Sequence, residues 1–368
     1  MSWLRHLTYA KLEFTLEATR PLQLPQFKGS TFRGAFGTLF KNLVCVKEDR
    51  ECSRCILRHE CSYDYVFETP NPGQFAWFSS PRLPHPYILE PPMLERERFE
   101  PGEALTLHLV LIGRAITMLP YFVFVFDEMG RSGGIGKYRH TGFGRFWLQH
   151  VRDALQHGKV IYDGDKKELS GLPLIHSGVD LMEGRAPRNV PFEDAAPPAA
   201  TGSGPTQPGA KGARAAGKVK VQVKAHPPAG DDGNLKLSLT FLTPTRIKHQ
   251  GDYLMFRRKR PFPAQVLLQN IYRRAFLMTA AHCYDGALDF ELPAFDRIRA
   301  SEVDLHWQDW ERYSNRQRRR HHLGGFVGRL TLEGDLAPWL PLLRAGEILH
   351  LGSASSFGLG KWRMTNEE

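Results

Sequence analysis

Four of the five cysteines crowd into residues 45–61, as Cys45, Cys52, Cys55 and Cys61, spaced C-x6-C-x2-C-x5-C. A CxxC knuckle turns two thiolates to one side, and the flanking pair lies close enough in sequence to complete a tetrahedron around a soft metal. A structural zinc is expected. An iron–sulfur cluster uses the same ligands and spacing does not separate the two. The plainer alternative is four reduced thiols without metal. Four protein ligands would close the site, so its expected role is folding and not catalysis.

A second group lies near the C-terminus, in G-S-A-S-S-F-G-L-G-K (352–361). Gly352, Gly358 and Gly360 permit positive φ and close backbone approach. Ser353, Ser355 and Ser356 add hydroxyls, Phe357 a ring and Lys361 a cation. Such a loop can cradle a phosphate backbone through its N–H groups. Alternatively its glycines serve only tight packing. It is not a nucleotide-hydrolysing P-loop, because Lys361 is followed by Trp-Arg-Met where that motif needs Ser or Thr and then a helix.

Two basic runs form the third group, one of Arg257, Arg258, Lys259 and Arg260, the other of Arg316, Arg318, Arg319 and Arg320. Residues 241–330 hold sixteen Lys/Arg against nine Asp/Glu, so most of the chain's formal charge of +10 sits there. Tyr253, Phe256, Trp307, Trp310 and Tyr313 interleave with these runs. Cations for phosphate with rings for stacking suit flexible RNA; a solvated charged face is the competing explanation. Paired carboxylates, G-x-S-x-G, H-E-x-x-H and a dinucleotide fingerprint are absent.

The elements that position these groups repeat. Residues 7–17 alternate as a strand, and Phe32, Phe36, Leu39, Phe40 and Leu43 mark one face of a helix starting near Ser30. A strand at 104–112, a helix at 116–129 kinked or started by Pro120, a glycine-rich stretch at 133–146 and a short run FWLQHV follow. The second half repeats the order: strand 235–248, helix 263–284, strands 303–313 and 325–332, helix 336–349, then the C-terminal glycine loop. This predicts an α+β chain of tandem ferredoxin-like (βαββαβ) domains. Residues 1–185 would form the first, with the four-cysteine insertion, and residues 234–368 the second. Residues 186–233, rich in Pro, Gly and Ala, are expected to be a flexible linker. Residues 1–20 lack a secretory pattern, and the longest apolar run is about a dozen residues where a span needs roughly 20. A cytoplasmic protein without a membrane partner is expected.

The motifs LHLGSASSFGLGKWRM (349–364), RYSNRQRRRHHLGGFVGRL (312–330), GGIGKYRHTGFGRF (133–146), FRGAFG (32–37) and the cysteine set with CSYDYVFE (61–68) resemble the RAMP superfamily of CRISPR-associated RNA-binding proteins. Within it the sequence is similar to a four-cysteine subset of the sixth CRISPR-associated protein family, endoribonucleases that cut precursor CRISPR RNA. The resemblance implies binding of CRISPR repeat RNA in a positive cleft between the halves. It also implies metal-independent attack of a ribose 2′-OH on the adjacent phosphate, leaving 2′,3′-cyclic phosphate and 5′-OH ends. Relatives often place a catalytic histidine on the first helix. Here that helix carries Arg33 and Lys41 but no His or Tyr. The expected base is therefore His350, then His140, then His249, with Lys361 and Arg316 as phosphate clamps. A non-catalytic RNA-holding subunit of a CRISPR effector complex, with other effector subunits as partners, is the second expectation. A zinc-bearing nucleic-acid-binding protein unrelated to CRISPR is the third.

Overall fold

The computed structural model describes residues 1–73, 75, 77–156, 159–184, 234–249, 251–254, 261–314 and 319–366. The linker expected at 186–233 lies outside them.

In the first half, strand β1 (Thr8–Ala18) buries Leu12, Phe14 and Leu16 on one face and leaves Lys11, Glu13 and Thr15 half-buried on the other. That alternation follows from the two-residue period of a strand. Helix α1 (Gly29–Val44) packs Phe32, Phe36 and Phe40 onto the apolar face. Strands β2 (Tyr87–Glu90) and β3 (Ala104–Ile112) follow, then helix α2 (Leu119–Glu128) and strand β4 (Phe146–Asp153). Pro120 sits in the first turn of α2, where its missing N–H costs nothing, so it starts the helix without kinking it. The sheet runs β2-β3-β1-β4, all antiparallel, and is extended past β4 by Val160–Asp163 and Glu168–Leu169.

The second half contains β5 (Asn234–Thr245), α3 (Ala264–His282), β6 (Arg299–Gln308), β7 (Gly325–Asp335), α4 (Leu340–Leu349) and β8 (Trp362–Asn366). Its antiparallel sheet runs β6-β7-β5-β8, the same relative order as in the first half. The strand expected over 303–313 ends at Gln308. Beyond it, Glu311–Ser314 pairs with Arg319–His322 as a separate hairpin.

The halves share a core. Trp3 makes edge contacts with Tyr272 and Phe276 of α3, both at 5.3 Å between ring centres. Leu4, Leu7, Tyr9, Ile88 and Val110 join the same cluster as α3 and α4. Each sheet thus carries helices on one face, and one end of the other face of the first sheet, at Tyr9, Ile88 and Val110, meets the second half. Among the described residues, no helix is long and apolar enough to cross a membrane.

Candidate active site

The C-terminal glycine loop is the wedge that joins the halves. Gly352, Gly358 and Gly360 all have positive φ. A Cβ on Gly360 would come within 1.8 Å of Leu351 O, and one on Gly358 within 2.7 Å of Leu89 O in β2. From the opposite side, a Cβ on Gly29 at the start of α1 would meet Phe357 O at 2.0 Å. Only glycine permits this approach of backbones. The N–H groups of Ser353, Phe357, Gly358, Gly360 and Lys361 bond to Arg246 O, Ala354 O, Ser355 O, Pro244 O and Thr243 Oγ1. Ser355, Ser356, Gly358 and Gly360 are buried, while Ser353 is exposed. Five of the loop's N–H groups are thus engaged within the protein, and its glycines allow close packing between the halves.

His350, the first candidate base, is 1% exposed. Its Nε2 lies 3.1 Å from Glu90 Oε1 and its Nδ1 3.1 Å from Leu359 O. Burial pushes its pKa down and the Glu90 carboxylate opposes this. Both of its ring nitrogens are thus engaged within the interior. Glu90 also accepts from Lys361 Nζ at 2.6 Å and Lys11 Nζ at 3.0 Å. Burial acts to raise the Glu90 pKa, but His350, Lys11 and Lys361 outweigh it and hold the carboxyl well below its ordinary range. Lys361 is therefore an ion-paired cation at the rim of the junction, one quarter exposed. His140 lies in a turn, Arg139–Thr141. His249 is exposed on the two-residue strand Lys248–His249.

At the other end of the strand from Glu90, around Tyr87, stands a second group that no sequence pattern brings together. Arg33, on α1, donates from Nε to Tyr87 Oη at 3.1 Å. Its guanidinium lies over the Phe67 and Phe357 rings at 5.0 and 4.8 Å, one ring from each half of the protein. Two residues before Tyr87, half-buried His85 places Nδ1 2.8 Å from Thr69 Oγ1. The loop bearing His85 is pinned from the second half, where His282 at the end of α3 sits 2.8 Å from Pro84 O. Exposed Arg82 pairs with Glu68 beside it. The only sequence signals were a histidine between two prolines and a carboxylate ending an apolar run.

The open sheet faces on either side are polar. On the first, Glu13 pairs in register with His108 and Thr15 with Thr106. On the second, Thr240 stands between Arg329 and Arg363, both exposed. Of the basic runs, Arg257, Arg258, Lys259, Arg260, Arg316 and Arg318 lie outside the described residues. Arg319 and Arg320 lie on the hairpin strand opposite Ser314 and Tyr313.

Cys45, Cys52, Cys55 and Cys61 line one surface pocket with Lys47, Arg50 and Tyr63. They share a site, as their spacing predicts. Among the described residues, however, no three His, Cys, Asp or Glu side chains converge closely enough to hold a metal. The fifth, Cys283, is buried beneath Thr8.

Residues 239–362 match the family model of the CRISPR-associated endoribonuclease Cas6. Residues 7–174 match a model described as an N-terminal domain. An uncharacterized protein of Archaeoglobus fulgidus is 27% identical over 204 residues, covering 49% of this chain and 66% of that one. Among solved structures, a partial Cas6-RT-Cas1–Cas2 complex aligns over 98% of this chain with a TM-score of 0.50 at 13% identity. This chain spans 46% of that longer one, and the likeness shows a shared fold. A Cas6 of Thermus thermophilus aligns over 98% of this chain and 99% of its own, at 12% identity and a TM-score of 0.44.

Proposed function

We propose that the chain, whose residues 239–362 match the family model of the CRISPR-associated endoribonuclease Cas6, binds CRISPR repeat RNA at the junction of its halves and cleaves precursor CRISPR RNA there. The domain match carries this reading. The two polar sheet faces and the Arg33–His85 group beside the glycine loop support it. Cleavage proceeds by attack of a ribose 2′-OH on the adjacent phosphorus, and leaves 2′,3′-cyclic phosphate and 5′-OH ends. The reaction needs a base for the 2′ proton and cations for the charge that grows on the phosphate oxygens.

The same reading treats both halves as ferredoxin-like βαββαβ domains, at 1–185 and 234–368, joined by a linker at 186–233. The common strand order of the two sheets supports it. It assigns the four cysteines to a structural zinc, or an iron–sulfur cluster, that steadies the insertion after α1. Their shared pocket and all-thiol donor set suit a soft metal. The protein would act in the cytoplasm.

Burial of His350 favours one other reading, a non-catalytic subunit that holds guide RNA within an effector complex. Incubation with repeat RNA in EDTA separates the two. Cyclic-phosphate ends support the nuclease. Tight binding without cleavage in either EDTA or Mg²⁺ supports the holding subunit.

A further inference from the structure

The Thr69 hydroxyl has one proton. It lies 3.0 Å from Tyr65 O and 3.3 Å from Val66 O, carbonyls that can only accept it. Toward His85 the hydroxyl must therefore act as acceptor, so His85 Nδ1 carries the hydrogen and Nε2 keeps its lone pair. Among the described residues Nε2 has no hydrogen-bond partner.

Thr69 holds this position at a cost. It ends the π-helical turn Asp64–Glu68 with φ of 42°, a conformation that a β-branched residue rarely adopts. Strain of this kind persists only where the surroundings impose it, and it gathers at functional sites. Thr69 N–H to Asp64 O and Leu83 N–H to Thr69 O fix the backbone on both sides. Arg33 is held in the same manner. Its Nε is engaged by Tyr87 and its plane by two rings, while its Nη groups have no hydrogen-bond partner among the described residues. A fork of free N–H groups suits a phosphate.

We infer that His85 is the general base of the cleavage, oriented by Thr69, and that Arg33 clamps the reacting phosphate. This rests on the endoribonuclease reading above. His85 Nε2 takes the ribose 2′-OH proton as the O2′–P bond forms. The P–O5′ bond breaks, and the 5′ oxygen takes a proton from water. The imidazolium then returns its proton to solvent. Arg33 Nη donates to a non-bridging oxygen. The charged and titratable groups that bear on His85 are Arg33 from α1, Arg82 from its own loop, and His282 and Arg274 from α3. Burial first, and then the guanidinium groups of Arg33, Arg82 and Arg274, keep the ring neutral at neutral pH, the form a base requires.

The test uses the full chain and a synthetic repeat RNA from the CRISPR array of the encoding organism, in single turnover. His85→Asn keeps a donor for Thr69 and removes the base. It should lower the cleavage rate about 100-fold or more with RNA affinity unchanged within about twofold, and should abolish the acid limb of the pH–rate profile. Thr69→Ser should retain the single-turnover rate within about threefold, whereas Thr69→Val should lower it about tenfold with RNA affinity unchanged. Equal loss in both Thr69 variants would assign Thr69 a structural role only and overturn its part. Wild-type cleavage with His85→Asn and His85→Ala both within threefold of it overturns the base assignment and leaves the nuclease reading standing. RNA binding with no wild-type cleavage removes both.

Discussion

Glu90 Oε2 in the first half lies 2.6 Å from Lys361 Nζ in the second, and its other oxygen meets Lys11 and His350 at 3.0 and 3.1 Å. One buried carboxylate therefore collects cationic or donor groups from both halves and from the glycine loop. Removing one member of a buried ionic group leaves the others desolvated without a partner, at a cost of about 3–5 kcal/mol. Glu90→Gln should lower the thermal midpoint clearly and loosen the halves. Faster amide exchange across 350–361 with little change in the β1–β4 pairing would report it. A midpoint within one degree of wild type would show that the cluster contributes nothing net.

The same carboxylate fixes a pH dependence. Its folded pKa lies below the ordinary value, so the stabilisation is fully present above the unfolded value of about 4.3 and is lost as pH falls further. Burial lowers the His350 pKa as well, so protonation there acts in the same direction. Thermal midpoints followed from pH 7 to pH 3 should fall more steeply for wild type than for Glu90→Gln. Parallel curves would place the acid sensitivity elsewhere.

Gly360→Ala should act on the wedge directly. Its Cβ would overlap Leu351 O, at a φ of +71° that alanine resists, for a loss of about 2 kcal/mol or more. Gly34→Ala, in α1 with open space around the new Cβ, is the matched control and should be neutral or stabilising by up to about 1 kcal/mol. Chemical unfolding of both variants checks the pair. Equal effects would mean that the loop yields readily.

What was legible in the sequence follows the range of the interactions. The alternation of Leu12, Phe14 and Leu16 and the helical spacing of Phe32, Phe36 and Phe40 are local patterns, and each half's strand and helix order emerged from them. The cysteines too lie close in sequence and share a pocket. The glycine loop was found, but nothing local shows that the N–H groups of Gly360 and Ser353 meet Pro244 O and Arg246 O. Nothing local shows that His350 meets Glu90, 260 residues away. His85 carried no local pattern at all. Its assignment depends on a carbonyl-bound threonine hydroxyl, visible only in three dimensions.

The cysteine pocket yields a separate prediction. If a structural metal fills it, freshly purified protein should contain one zinc, or iron with sulfide, per chain. Cys52→Ser should remove the metal and destabilise the insertion after α1 with little effect on the second half. Elemental analysis and limited proteolysis at 45–61 check this. Metal-free wild-type protein of full stability would leave four reduced thiols.

Arg363 offers the cleanest probe of the RNA surface. It is exposed on β8, opposite Thr240, on the face of the second sheet turned away from its helices. Each phosphate that a cation neutralises contributes about 0.7 for single strands to the slope of log affinity against log salt. Arg363→Ala should therefore weaken repeat binding and lower that slope by about that amount, as should Arg319→Ala if the hairpin also touches the strand. Arg98 is exposed too, but pairs with Glu100 at 2.6 Å in the first half, and Arg98→Ala should leave both quantities unchanged. A common shift in all three would mean that net charge alone drives binding. A slope that falls only for Arg363 and Arg319 places the RNA on the second half, along the open face of its sheet and the hairpin.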